Sequence, residues 1–242
     1  MKFTKEQKEA LWADFKALPT AKKVDYIFDY YKWPIILAIV AVIIIVSTVV
    51  RTVTRKNDTL YLAAVNVSFG SETEATLTED FIEYEGLNTK RNQVYLYTAM
   101  YLSENPSEVD HEYAYASRMK LMAAVNAQEM DVFLMNREAY DLLSQSGYLA
   151  ELGDILTDEL YSAVEPYLTE NDVIIEDNKL DVLLNEADER QTVTESYVNA
   201  LRVSDSDVLR AAGFEGDVYF GVAVNTPRPD VAADYIAYLT GN

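Results

Sequence analysis

The strongest hydrophobic pattern in the chain is an uninterrupted apolar run near the N-terminus. Residues 33–50 read WPIILAIVAVIIIVSTVV and contain no charged side chain. As a helix, these eighteen residues span about 27 Å, close to the hydrocarbon thickness of a bilayer. The run has no polar face, aromatic residues precede it, and Arg51, Arg55 and Lys56 follow it. A buried core helix rarely combines these features, so residues 33–53 are predicted to form a transmembrane helix.

Residues 1–32 are predicted to form juxtamembrane amphipathic helices. Thr4 and Gln7 have the spacing of a capping box, and Thr20 can cap a second helix that leads to the apolar run. These helices either contact a partner or anionic lipid, or only fix the depth and tilt of the span. Because about thirty residues precede the run and no small-residue cleavage site follows it, we expect a retained anchor rather than a cleaved signal peptide.

From about residue 58 onward, strand patterns alternate with helical patterns. Strands are predicted at residues 60–69, 93–102 and 130–135, and helices at 78–84, 111–128 and 137–145. The helix at 111–128 carries an apolar stripe formed by Tyr115, Met119, Met122 and Val125. Helices of this length between strands indicate βαβ units. We therefore expect an α/β domain at 58–242 with a mainly parallel sheet.

The second half of this domain has shorter elements. Helices are predicted at residues 158–168, 204–212 and 229–239, strands at 197–203 and 217–224, and a hairpin at 172–184 that turns at Asp177 and Asn178. Residues 185–195 are predicted to be a loop. The sequence shows no internal repeat, which argues against a repeat architecture.

Charge divides the chain into the same two parts. Residues 1–56 carry ten Lys and Arg against five Asp and Glu, whereas residues 57–242 carry ten against thirty-five. The first part therefore has a net charge of about +5 and the second of about −25, for −20 overall. This acidic excess argues against nucleic acid as a partner. Four basic residues flank the span on one side and three on the other, which leaves its orientation almost undecided.

The chain offers little material for catalysis or metal binding. It has no cysteine and one histidine, His111, which excludes thiolate ligands and histidine clusters. The sequence contains neither a Gly-rich phosphate loop nor a G-x-S-x-G elbow. Asp205 and Asp207 begin like a calcium loop, but the glycine and terminal glutamate of an EF-hand are missing. We therefore expect a non-enzymatic protein without a cofactor or a bound metal.

Two segments resemble extracytoplasmic solute-binding proteins of the periplasmic type, type II. Residues 120–156, KLMAAVNAQEMDVFLMNREAYDLLSQSGYLAELGDIL, are similar to a helix, Asp-Val strand, helix and glycine of that family. Residues 217–241, DVYFGVAVNTPRPDVAADYIAYLTG, resemble its late strand, turn and helix. The helical lead-in with YYKWP and one span also looks like anchored, uncharacterised proteins of Gram-positive bacteria. Since only about 185 residues follow the span, the resemblance implies a second lobe reduced to the 157–200 region.

The resemblance also implies a location and a role. The protein is expected in the cell membrane, with a cytoplasmic N-terminus and an extracytoplasmic C-terminal domain. There it would capture a small solute for, or alongside, the permease of a membrane transporter. The alternative is a non-enzymatic scaffold or interaction protein of a membrane complex, whose solute-binding fold has lost its ligand.

Polar residues that follow the predicted strands form the expected ligand site. In an open α/β sheet, ligands bind beyond the carboxyl ends of the strands. The candidates are Ser68, Phe69, Ser71, Ser103, Asn136, Arg137, Asn225 and Thr226. Arg137 begins a predicted helix, where a cation opposes the helix dipole. Either a carboxylate of a ligand or partner explains this residue, or it is an ordinary surface arginine.

Overall fold

The structure, a computed structural model, describes residues 4–17, 19–103, 111–177, 191–211 and 216–242. The chain forms two compact units, Met1–Arg55 and Lys56–Asn242. In its described part, the first unit consists of two helices, α1 (Lys5–Ala17) and α2 (Thr20–Thr54).

Helix α2 contains the apolar run. It is a single helix of 35 residues with Pro34 in its interior, so it joins the second juxtamembrane helix and the span that the sequence predicted as separate elements. Within it, Trp33–Thr52 comprises 20 residues with a mean hydropathy of 2.9, and none of this segment is buried. Its length and composition are compatible with a membrane anchor or a signal sequence.

The second unit is an α/β domain. Its strands are β1 (Asn57–Val65), β2 (Asn92–Met100), β3 (Val132–Met135), β4 (Leu168–Asp177), β5 (Thr192–Arg202) and β6 (Tyr219–Val222). Its helices are α3 (Ser71–Ala75), α4 (Phe81–Tyr84), α5 (His111–Asn126), α6 (Arg137–Gln145), α7 (Asp158–Ala163), α8 (Asp207–Ala211) and α9 (Pro229–Thr240). A π-helical turn, Thr76–Asp80, joins α3 to α4.

All six strands form one mixed sheet in the order β2-β1-β3-β6-β5-β4. Strand β1 is parallel to β2 and β3, whereas the pairs β3–β6, β6–β5 and β5–β4 are antiparallel. The prediction of α/β architecture is confirmed, but the prediction of a mainly parallel sheet is wrong. Parallel strands need helical crossovers, and these occur only in the first half of the domain.

Apolar residues cover both faces of this sheet, which makes the domain a three-layer structure. Alternate residues of β1 point to opposite faces, so Leu60 and Leu62 pack with α4 and α9, while Ala63 and Val65 pack with α5 and α6. The continuous apolar sequence of β3, VFLM, has the same cause, since all four residues are buried.

The region expected to form a reduced second lobe extends this same sheet. Strand β4 pairs along its length with β5, and the described residues of 157–200 form no separate compact unit. The described partner of β4 is β5, which begins at Thr192 inside the predicted loop, whereas the second half of the predicted hairpin at 172–184 lies outside the described residues. The predicted turn at Asn178 and the residues up to 190 lie outside the described residues.

Candidate functional site

The carboxyl ends of the three parallel strands meet at one edge of the sheet. Val65 of β1 lies opposite Met100 of β2 on one side and Met135 of β3 on the other. Asn66 follows β1 with a φ of 57°, in the left-handed region, and its backbone N–H donates to the Met100 carbonyl at 2.9 Å. This conformation ends β1 at Val65, four residues before the predicted end.

The side chain of Asn66 closes the gap between β1 and β2. Its amide nitrogen donates to the Leu102 carbonyl at 2.6 Å, and its oxygen accepts from the Leu102 N–H at 2.8 Å. The sequence reasoning missed this residue, although an asparagine directly after an apolar strand is a recognised candidate for a left-handed position.

Three predicted site residues lie at this edge but are engaged within the protein. Ser103 donates to Glu138 Oε1 at 2.5 Å. Asn136 is the N-cap of α6, and its Oδ1 accepts from the Ala139 N–H at 2.9 Å. Arg137 follows as the first residue of α6.

Arg137 has an internal carboxylate partner. Its guanidinium contacts Asp141, one turn along α6, with Nη2–Oδ1 at 3.0 Å and Nε–Oδ2 at 3.1 Å. It also lies over the rings of Tyr140 and Tyr219, at 5.4 and 5.6 Å from their centroids. The hydrogen bond from Arg137 to Asp141, and then that to Tyr219, raises the pKa of the guanidinium. An acidic ligand is therefore not needed to explain an arginine at this helix start.

The residues after β1 do not join this group. Phe69 packs against the hydrophobic layer that contains α4 and α9, on the other side of the sheet from α6. Ser68 and Ser71 are exposed, and Ser71 begins α3.

Asn225 and Thr226 lie at the opposite edge of the sheet, so their predicted position is wrong. The reason is the antiparallel pairing of β6 with β3, which places the carboxyl end of β6 beside the amino end of β3. There Asn225 donates to the Val125 carbonyl at 2.8 Å, and Thr226 donates to Asp131 Oδ1 at 2.6 Å.

Asp131 is the centre of a buried polar cluster at this opposite edge. Its carboxylate is fully buried and accepts from the Tyr61 N–H at 2.8 Å, from Thr226, and from Arg228 Nη1 at 3.0 and 3.1 Å. Arg228 in turn lies over the Tyr61 ring at 4.9 Å from its centroid. These donors come from the backbone of β1 and from two residues between β6 and α9. Because they satisfy the hydrogen-bonding capacity of the carboxylate, the cluster is structural. In the sequence, this cluster is indicated by one acidic residue, Asp131, directly before the apolar residues of β3.

A groove lies between α5, α6 and β4. Its volume is about 490 Å³. Apolar side chains form part of its lining: Leu102, Leu121, Met122, Leu142, Leu143, Tyr148 and Ile174. Polar surface forms the rest, with Arg118, Gln145, Ser146 and Asp177 among the lining residues. The groove contains none of the predicted site residues, although Leu102 follows the carboxyl end of β2 and Asp177 ends β4.

Of the apolar stripe predicted on α5, Met122 lines this groove. Val125 is buried, but Tyr115, Met119 and Met122 are 67%, 46% and 37% exposed. The buried face of α5 is instead formed by Ser117, Leu121, Ala124 and Val125. The helix therefore presents apolar side chains both to the core and to the surface.

Among the described residues, no group of three or more His, Asp or Glu side chains is placed to hold a metal ion. No family model, curated protein or solved structure matches the chain.

Proposed function

We propose that this chain is a single-pass, membrane-anchored binding protein that captures a small organic solute in the groove between α5, α6 and β4. The segment Trp33–Thr52 crosses the cell membrane, with the N-terminus in the cytoplasm and the acidic α/β domain outside. Capture serves a membrane transporter, whose permease is the expected partner. The length, hydropathy and full exposure of the segment support the anchor.

The observation that carries the binding role is the size and lining of the groove. At about 490 Å³ it falls within the roughly 300–1,000 Å³ of small-molecule sites. Such sites combine apolar walls with polar groups that orient the ligand, and here seven apolar side chains lie beside the polar groups of Arg118, Gln145, Ser146 and Asp177.

The proposed ligand site contains none of the residues predicted from the strand ends. Asn136, Arg137 and Thr226 already make hydrogen bonds within the protein, to the Ala139 N–H, to Asp141 and to Asp131. The kinship with solute-binding proteins remains part of the proposal and is supported by the α/β layers and the late strand and helix that follow the predicted order.

A thermal-shift screen tests the binding role. The purified domain, residues 56–242, is heated with sugars, amino acids, short peptides, amphiphiles and divalent ions. A ligand present at about a hundred times its Kd adds roughly 2.7 kcal/mol of stability. The matched control is Ser146→Trp, which places an indole in the groove at an exposed position. A hit that disappears in this variant supports the proposal, whereas a hit that survives places the site elsewhere. A folded domain without any hit contradicts solute capture.

The second candidate is an interaction protein of a membrane complex. The specific observation in its favour is the exposed stripe of Tyr115 and Met119, because exposed large apolar side chains in a row are typical of protein contacts. A photo-crosslinking residue at position 119, in the full chain within its own membrane, tests this role. Attachment of one defined protein, lost on Tyr115→Ser, supports it. Absence of any crosslinked product contradicts it.

A further inference from the structure

We infer that the groove between α5, α6 and β4 takes a small amphiphilic anion, with its apolar body between the aliphatic walls and one carboxylate or phosphate group at Arg118. This inference rests on the proposed function, since it names the ligand class of the same groove.

The apolar walls come from elements that are fixed by the core. Leu121 is 2% exposed and belongs to the α5 face that packs on the sheet, and Leu142 packs against the same hydrophobic layer from α6. Met122 is 37% exposed at the rim. A buried leucine beside a flexible, partly exposed methionine favours an apolar chain whose shape is not sharply defined.

Arg118 differs from most other arginines of the domain. The guanidinium groups of four arginines contact a carboxylate at 3.2 Å or less: Arg137, Arg202, Arg210 and Arg228. Arg118 lines the groove and, within the described part of the chain, makes no ion pair. A guanidinium has a planar set of donors that matches carboxylate and phosphate, so its natural partner here is an anionic group in the groove.

The net charge of the domain bears on which ligands Arg118 can attract. With a net charge of about −25 over residues 57–242, the domain as a whole attracts cations and repels anions. Asp177, at the β4 end of the groove, adds to this effect and has an interaction of its own. The anionic end of a ligand is therefore placed at Arg118 and away from β4. A preference for anions must come from this local charge, because the long-range field opposes it.

The test uses three probes with the same decyl chain: decanoate, decyltrimethylammonium and decyl glucoside. Both hydrophobic layers lie within Lys56–Asn242, so this unit contains its own core and can be titrated without detergent. Binding is measured by isothermal titration calorimetry. We expect decanoate to bind at least about tenfold more tightly than decyltrimethylammonium, with one site per domain.

The variants distinguish the effect of the Arg118 charge from the effect of access to the groove. Arg118→Gln is expected to weaken decanoate about fivefold, the effect of losing one largely exposed ionic contact, and to leave decyl glucoside unchanged. Arg118→Lys should restore part of the affinity. Arg91→Gln makes the same change of charge at an exposed position outside the groove and should have no effect. Ser146→Trp should abolish binding of every probe that occupies the groove.

Each outcome has a distinct meaning. If all three probes bind alike, Arg118→Gln changes nothing and Ser146→Trp abolishes binding, the groove is a solute site but the anionic class is overturned. If no probe binds while the wider screen finds another groove ligand, the inference again fails and the proposed function stands. If no ligand of any class binds the groove, both fail.

A last comparison identifies the source of the anion. The domain is sedimented with vesicles of phosphatidylglycerol or of phosphatidylcholine. Arg118-dependent sedimentation with phosphatidylglycerol, without binding of free decanoate, assigns the anionic group to a membrane lipid. Binding of decanoate without sedimentation assigns it to a free solute. Sedimentation with either lipid that is insensitive to Arg118→Gln and Ser146→Trp, together with no decanoate binding, overturns the inference.

Discussion

Arg228 neutralises a carboxylate, that of Asp131, which is completely inaccessible to solvent. The two Nη1–carboxylate distances are 3.0 and 3.1 Å, and the arginine side chain is itself only 28% exposed. The pair connects the amino end of β3 to the segment between β6 and α9. Removing one partner of such a pair leaves a buried, unpaired charge. The resulting loss of stability is larger than the net stabilisation that the pair itself contributes.

The first prediction concerns this pair. Arg228→Gln is expected to lower the free energy of unfolding of the domain by about 3 kcal/mol, because the buried side chain of Asp131 loses its cation. Arg202→Gln breaks the exposed pair with Asp217, whose side chains are 49% and 56% accessible, and should cost much less than Arg228→Gln. Urea denaturation of both variants measures the difference. Equal losses would show that burial of Asp131 does not govern the energetics.

The second prediction distinguishes a cap from a ligand contact at Asn136. As the N-cap of α6, Asn136→Ala should destabilise the domain by about 1 kcal/mol, and Asn136→Gly by only a few tenths. Both variants should keep the ligand affinity of the parent domain, measured by calorimetry with whichever solute the thermal screen identifies. A loss of affinity without a loss of stability would return Asn136 to the ligand site.

The third prediction concerns packing around β6. A Cβ at Gly221 would lie 3.0 Å from Leu149 Cδ2, 3.0 Å from Met135 Cε and 3.3 Å from the Asn199 carbonyl. Gly221→Ala should therefore cost about 1–3 kcal/mol through overpacking. Gly153→Ala is the control, because no atom lies within 4 Å of its added Cβ. Thermal unfolding of the two variants side by side checks this expectation.

How far the sequence specifies this fold is visible at β3 and β4. The apolar run of β3 predicted a short buried strand. In the structure, its residues pack alternately against the two hydrophobic layers. Strand β4, LTENDVIIED, is mostly polar and only partly covered, and such strands are typical of antiparallel pairs. Its sequence alone does not identify the partner, because pairing depends on residues as distant as 192–202.

The candidate site was less predictable for a related reason. The rule that ligands bind at the carboxyl ends of strands assumes parallel strands. Strand β6 runs antiparallel to β3, so Asn225 and Thr226, which follow β6, lie at the opposite edge of the sheet. The groove depends on which face of α5 is buried. Both faces of that helix are apolar, so hydrophobic spacing alone favoured Met119 and Met122, whereas the structure buries Leu121 and Ala124.

The fourth prediction is a pH dependence at Tyr238. Burial, and then the nearby charge of Asp80, raises the pKa of this phenol from 10.0 to about 12. The neutral phenol donates to the Thr76 carbonyl at 2.8 Å. The stability that this neutral phenol contributes is complete below pH 10 and is lost as the pH rises towards about 12. The reason is that the phenol of the unfolded chain releases its proton at a lower pH than that of the folded chain.

Removal of this hydroxyl should therefore change the alkaline limb of the stability curve. Tyr238→Phe is expected to cost about 1 kcal/mol at neutral pH through the lost hydrogen bond. Above pH 10 it should lose less further stability than the parent, so the two curves converge. Urea midpoints collected from neutral pH upward test this; curves that remain parallel would assign the alkaline loss to other groups.

The fifth prediction concerns the membrane topology and uses the absence of cysteine from the chain. Single cysteines are introduced as Lys16→Cys in α1 and Glu72→Cys in α3, both at exposed positions. With a membrane-impermeant maleimide, Glu72→Cys should be labelled in intact cells and Lys16→Cys only after permeabilisation. The reverse pattern would overturn the orientation. A full-length chain in the membrane fraction agrees with an anchor, whereas a shortened domain released into the medium would identify the apolar helix as a signal sequence.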